Sequence, residues 1–221
     1  MPTLLLRLAG PMQSWGTTSR FDERDTQLEP SKSGVLGLVC AALGRDRSEQ
    51  VDDLAALRMG VRIDREGTVM RDYQTATGVL VAANGKPDLN RTVVSPRYYL
   101  ADAAFLVGLE GDDMNLLLCI HRALLQPVWP LALGRKSFPP GMPVHLHDGV
   151  NPDGLTQALS SYPRIAPPQF EHRDHPLRLV LETASEGSVR FDQPVAPFAQ
   201  RRFGPRYVMS GGVDVPVQNH R

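Results

Sequence analysis

Residues 10–16, GPMQSWG, place Met12, Gln13 and Trp15 between two glycines at the end of an alternating apolar run. An aromatic ring and an amide there suit unpaired bases, which are stacked upon and read along their edges rather than gripped in a groove. A Trp that folds back over a sheet edge fits the same pattern. Lys32 and Ser33 stand at the start of an apolar helical stretch, PSKSGVLGLVCAALG. Free N–H groups and the helix dipole make such an end a phosphate site, and an ordinary cap with a solvated lysine is the other reading. Gly34 and Gly37, one turn apart, allow a strand, a helix or an RNA backbone to come close. Arg135, Lys136 and Ser137 sit in the proline-stiffened loop LGRKSFPPG, as phosphate contacts or as a basic turn. Arg20 and Arg24 lie in a charged, aperiodic stretch over 20–30 that reads as a mobile loop. In the tail, Arg201, Arg202 and Arg206 alternate with Phe203 and Tyr207, a mixture that fits single-stranded nucleic acid or a protein interface. His145 and His147 are two apart, His172 and His175 three apart, and neither pair has a third ligand at a recognisable spacing, so no metal site is expected.

Composition limits the classes. The 221 residues carry 24 Lys and Arg against 24 Asp and Glu, a net charge of zero. A non-specific polyanion binder relies on a strongly basic surface and is therefore not expected, while local basic patches are open. With 42% hydrophobic and 22% charged residues, the chain is globular, long enough for one large domain or a core with an extension. Cys40 and Cys119 both fall in apolar helical stretches and read as buried small hydrophobes rather than a disulfide. No leader-like segment precedes the first strand and no apolar run reaches about 18 residues, which gives a cytoplasmic expectation.

The elements that must position these groups follow from periodicity. Leu4, Leu6 and Leu8 alternate with Leu5, Arg7 and Ala9, a strand over 3–9 with one face in a core. A mostly buried helix over 33–43 is capped by Ser31 or Ser33 and stopped by Gly44. A short helix is expected over 48–57 and a strand over 58–64, with Met59, Val61 and Ile63 inward and Arg58, Gly60 and Arg62 outward. TVMRDYQT begins another strand, and 78–96 forms a protruding hairpin around Asn84-Gly85. Residues 97–109, beginning with Arg97, read as the longest strand. A helix over 112–125 has the stripe Leu116, Leu117, Ile120 and Leu124, leaving His121 and Arg122 solvated. A Pro-bearing edge strand is expected over 127–133, and Leu177, Leu179 and Leu181 mark a later half-buried strand. The sum is α+β, with a βαββαβ order of the ferredoxin-like (RRM-like) kind. Its helices would cover one sheet face and leave the other open, with Arg7, Arg58 and Arg62 pointing there.

RLAGPMQSWG, SGVLGLVCAALGR, RDYQT, YYLADAAFLVGL, LGRKSFP and FGPRYVMSGGVDV occur in an order that resembles the fifth Cas family. These are the repeat-associated (RAMP) CRISPR proteins that serve as the CasD subunit of the subtype I-E Cascade complex. The likeness runs from Leu4 to Val215, and nothing is carried onto 148–168. It implies a ferredoxin-like core over 1–145, with an inserted thumb hairpin at 77–96 and a C-terminal β-rich extension over 146–221. It also implies a cytoplasmic, non-catalytic subunit without cofactor. Such a subunit holds the 5′ handle of the CRISPR RNA, caps the backbone filament and meets target DNA only through the complex. The RNA-contact candidates are Arg7, Met12, Gln13, Trp15, Arg20, Lys32, Ser33, Gly34, Arg97, Arg135, Lys136 and Ser137. The thumb candidates, facing the CasC backbone subunit with the large CasA subunit docked nearby, are Val79, Val81, Asn84, Gly85, Lys86, Arg91 and Val93. The alternative is a metal-independent endoribonuclease acting on the CRISPR precursor, as in subtype I-C relatives. That chemistry needs a general acid and base. Tyr73, Lys136 and His145 or His147 are the residue types available for it, although Gln74 beside Tyr73 cannot act as a base.

Overall fold

The computed structural model describes residues 1–18, 23–80, 86–166 and 176–215. It is a mixed α/β protein of mostly antiparallel sheet with few helices. Strand β1 (Thr3–Ala9) enters the core, and β2 (Met12–Gln13) leaves it at once for a second sheet. Then come α1 (Lys32–Leu43), α2 (Asp52–Ala55), β3 (Arg58–Arg65), β4 (Thr68–Leu80), β5 (Pro87–Ala101), β6 (Ala104–Glu110) and α3 (Met114–Leu125). The rest is β7 (His145–Asn151), α4 (Leu155–Ser161), β8 (Leu177–Thr183), β9 (Ser188–Pro194) and β10 (Phe203–Val213). One seven-stranded sheet runs β7-β1-β6-β3-β8-β10-β9, and a three-stranded sheet runs β2-β5-β4.

The large sheet is covered on both faces. Leu4, Leu6 and Leu8 join Val35, Leu36 and Val39 of α1 and Leu117, Ile120 and Leu124 of α3 in the main core. Leu5, Leu106 and Leu179 point the other way and pack under Leu155, Ala158 and Leu159 of α4. The expected open face is therefore closed over these strands. Two facing glycines admit α4: Gly60 pairs with Gly108, and a Cβ on either would lie 2.7 or 2.6 Å from a leucine of that helix. A run such as LLLRLA, apolar at almost every position, is what a strand buried on both faces requires.

Several expected boundaries move. The long strand is broken at Asp102, whose φ is +60° and whose N–H donates to the Pro11 carbonyl at 3.0 Å. Asp tolerates this left-handed conformation, so β5 can turn out of the large sheet and pair with β4 instead. Residues 127–133 are not a strand. Pro127 and Pro130 bring no donors, and the N–H groups of Val128 and Trp129 go to Ala42 and Ala41, closing the C-terminal end of α1. The edge strand on the outer side of β1 is β7. Only Asp52–Ala55 of the short helix forms. Cys119 is exposed, whereas Cys40 is buried and its thiol is pushed up to about 11 by desolvation. His121 is not freely solvated: its Nε2 lies 2.8 Å from the Leu146 carbonyl and its ring 4.2 Å from that of His145. The described part of the 20–30 loop is tied down by an Arg24–Arg97 bridge and by Glu29, which is buried against Arg178 and Arg190. Among the described residues, no helix is long and apolar enough to cross a membrane.

Candidate nucleic-acid interface

Two of the three side chains of the opening loop are core residues. Trp15 is 1% exposed, and its indole N–H donates to Gln13 Oε1 at 3.2 Å. The Gln13 amide in turn donates to the Leu8 and Ala103 carbonyls at 3.1 and 2.8 Å. All of the chemistry proposed for base contact is spent inside the protein, and the folded-back Trp is the correct reading. Met12 is half-buried against the same core. Gly34 is explained by this packing too: a Cβ would come within 2.9 Å of the Trp15 ring.

The helix start is closed as well. Lys32 is 1% exposed, and its ammonium meets Glu182 at 3.0 Å. Desolvation lowers its pKa and Glu182 works against that shift. The Lys32 backbone N–H donates to Asp192 at 2.8 Å. A carboxylate of β9 thus takes the place expected for phosphate, while Ser33 is half-buried. Arg62, expected to point outward, is wholly buried. It pairs with Asp64 at 2.7 Å and collects the carbonyls of Leu159, Tyr162 and Pro163 at the end of α4. Arg7 is half-buried and donates to the Pro143 carbonyl, and Arg58 pairs with Glu110. Arg206 of the tail is buried on Asp192 at 2.6 Å, whereas Arg201 and Arg202 are exposed.

The base of the β4–β5 hairpin differs. There the 23–27 segment, β5 and the 133–141 loop meet. Arg24 N–H donates to the Pro96 carbonyl at 2.9 Å, and Tyr98 N–H donates to the Arg24 carbonyl at 2.8 Å, so residue 24 extends the edge of β5 where β2 ends. The Arg135 guanidinium donates to the carbonyls of Arg24 and Asp25 and lies 5.6 Å above the Phe138 ring, which in turn packs against Tyr99. Gly134, at φ +88°, is required because a Cβ would overlap the Ser14 carbonyl. Burial first, then the charge of Arg97, lowers the Arg135 pKa; Arg24 adds to that while Asp25 and Asp72 oppose it. Arg24, Arg97 and Arg135 thus stand close enough to feel one another's charge, with Asp25 and Asp72 opposing them. Lys136 and Ser137 are exposed beside it. Arg97, Arg135, Lys136 and Ser137 are thus brought together, and Arg24 is the member that sequence reasoning saw but did not assign to a site. Its signal was available only through pairing with β5, some seventy residues away.

Beyond this junction the hairpin runs out with Lys86, Asp88, Leu89 and Arg91 exposed and Val79 and Val93 half-buried. Leu89 is 77% exposed. Arg20, Val81, Asn84, Gly85, His172 and His175 lie outside the described residues. Among the described residues, no group of three His, Cys, Asp or Glu side chains could hold a metal ion.

Residues 3–209 match the model of the family described as "CRISPR-associated protein (Cas_Cas5)". The chain belongs to this family. It is 31% identical to the CRISPR system Cascade subunit CasD of Escherichia coli (strain K12), over 96% of this chain and 97% of that one. A solved structure described as a crystal structure of Cas protein has 48% identity and a TM-score of 0.80, covering 98% of both chains. A chain of a CRISPR RNA-guided surveillance complex has 32% identity and a TM-score of 0.75, covering 97% of this chain and 91% of its own.

Proposed function

We propose that this family member is the CasD-type subunit of a Cascade surveillance complex and holds the 5′ handle of the CRISPR RNA without cleaving it. The observation that carries this reading is the cluster of Arg24, Arg97, Arg135 and Lys136 at the foot of an exposed hairpin, in a chain whose net charge is zero. A local basic surface of this kind suits the phosphates of one single strand, and target reading is left to guide pairing. The ferredoxin-like core is supported by the strand order β7-β1-β6-β3, with α1 and α3 on one face. The β-rich extension continues the same sheet through β8, β10 and β9. The hairpin serves as a thumb toward the CasC backbone subunit, with the CasA subunit docked nearby and target DNA reached only through the assembly.

No observation favours the nuclease. Tyr73 lies on β4, Lys136 in the 133–141 loop and His145 and His147 on β7, and no hydrogen bond or ion pair joins them. The test is incubation with repeat RNA in EDTA, read on denaturing and native gels. Binding without cleavage is the expected result. Site-specific cleavage in EDTA would overturn the assignment and direct mutation to those four residues.

A further inference from the structure

A small cleft lies between the start of α1 and strand β9. Its volume is about 180 Å³, and Thr17, Thr18, Gln27, Glu29, Arg190 and Phe191 form part of its lining. That is below the size of sites that enclose whole drug-sized ligands and suits one planar ring. The charges in its wall are balanced. Arg190 meets Glu29 at 2.7 Å, and at the inner end Arg206 meets Asp192 at 2.6 Å. A free phosphate or a charged side chain would find no unanswered partner there. The Thr18 hydroxyl donates to Asp25 at 2.9 Å and the Gln27 amide donates to the Thr17 hydroxyl at 3.0 Å, which leaves the Thr17 hydroxyl hydrogen as a donor and the Gln27 amide oxygen as an acceptor beside these pairs. Phe191 is 65% exposed and joins none of the core clusters among the described residues.

We propose that this cleft receives a single unpaired base of a bound RNA strand, stacked on Phe191 and edged by the polar wall. The proposal rests on the RNA-holding reading above and adds a second contact to it. Continuity with the basic junction favours RNA over a protein partner. Asp25 accepts from the N–H groups of Thr17 and Thr18 at 3.2 and 3.1 Å, while its own carbonyl accepts from Arg135. The segment that forms the cleft wall is therefore the same one that braces Arg24 and Arg135.

The test uses repeat RNAs, each with 2-aminopurine at one position, bound to the chain within its reconstituted complex. One position is expected to lose fluorescence on binding, because stacking quenches the probe. Phe191→Ala should restore that signal and weaken RNA binding by about ten-fold, and Phe191→Trp should quench it again. An unchanged unfolding midpoint would show that the alanine variant is folded, as the exposure of the ring leads one to expect. Overturning results are RNA bound equally well with the same fluorescence pattern in Phe191→Ala, or loss of a protein subunit from that variant with its RNA contacts intact. If the wild-type chain makes no RNA contact at all, the RNA-holding reading itself fails. That outcome is distinct from failure of the cleft alone.

Discussion

Lys32, Arg62 and Arg206 are the same kinds of side chain as Arg24, Arg97, Arg135 and Lys136, set in different electrical surroundings. Each of the first three is buried against a carboxylate, on Glu182, Asp64 and Asp192. They fasten α1 and α4 to the sheet. In the second group Arg135 donates to backbone carbonyls, feels Arg97 and Arg24 as like charges with Asp25 and Asp72 opposing them, and has Lys136 exposed beside it. A cation in a sequence motif is thus no evidence of a ligand site until its neighbours are known. The cations without a buried carboxylate of their own, not the ones that look best placed on a helix end, are those that gain most from an incoming phosphate.

The comparison breaks first at the buried set. Arg62→Ala leaves the buried Asp64 carboxylate with the Ile165 N–H but no counter-charge, and removes the donor to three carbonyls, and should lower stability by about 3–5 kcal/mol in urea unfolding. Trp15→Ala belongs with it, since it empties a core position and should also cost about 3–5 kcal/mol. If the folded fraction of Trp15→Ala bound RNA far more weakly than wild type, Trp15 would have to be returned to the interface. Lys136→Ala should do the reverse. Stability should stay within about 0.5 kcal/mol of wild type, while repeat-RNA affinity falls several-fold at low salt.

A smaller effect sharpens the contrast through pH. Burial holds the folded-state pKa of Lys32 below 10.5, so between that lowered value and 10.5 the unfolded chain binds more protons than the folded one. Stability contributed by this site therefore rises with pH in the alkaline window, and falls away as pH drops through the folded pKa. Lys32→Met should flatten the alkaline limb of the stability profile, and an unchanged limb would contradict the buried pairing.

How much of this was legible varies by element. Strand β1, the bodies of α1 and α3, and their stop at Gly44 and start at Asp113 follow from local periodicity and capping, because those signals are local in the chain. Asp113 accepts from the Asn115 and Leu116 N–H groups as an N-cap should. The burial of Arg62 had a local signal, Asp64 two residues on and on the same strand face, and so did α4, whose Leu155, Ala158 and Leu159 share one side. Glu182 and Asp192 lie about 150 residues beyond Lys32, and no short-range pattern announces such partners. Nor could alternation reveal the break at Asp102, since apolar positions continue on both sides of it. The junction itself was half legible: LGRKSFPPG advertised its cations, but Arg24 and Arg97 joined them only through the sheet.

The most direct measurement is the salt dependence of repeat-RNA binding by wild type and by a variant carrying Arg24→Gln, Arg97→Gln and Lys136→Gln. Arg135 is left in place because it braces the loop. If the hairpin base carries the phosphate contacts, log Kd plotted against log salt should lose about 2 in slope, roughly 0.7 for each contact with a single strand. Affinity at low salt should fall with the fold intact. An unchanged slope, with binding as tight as wild type, would place the RNA elsewhere on the molecule.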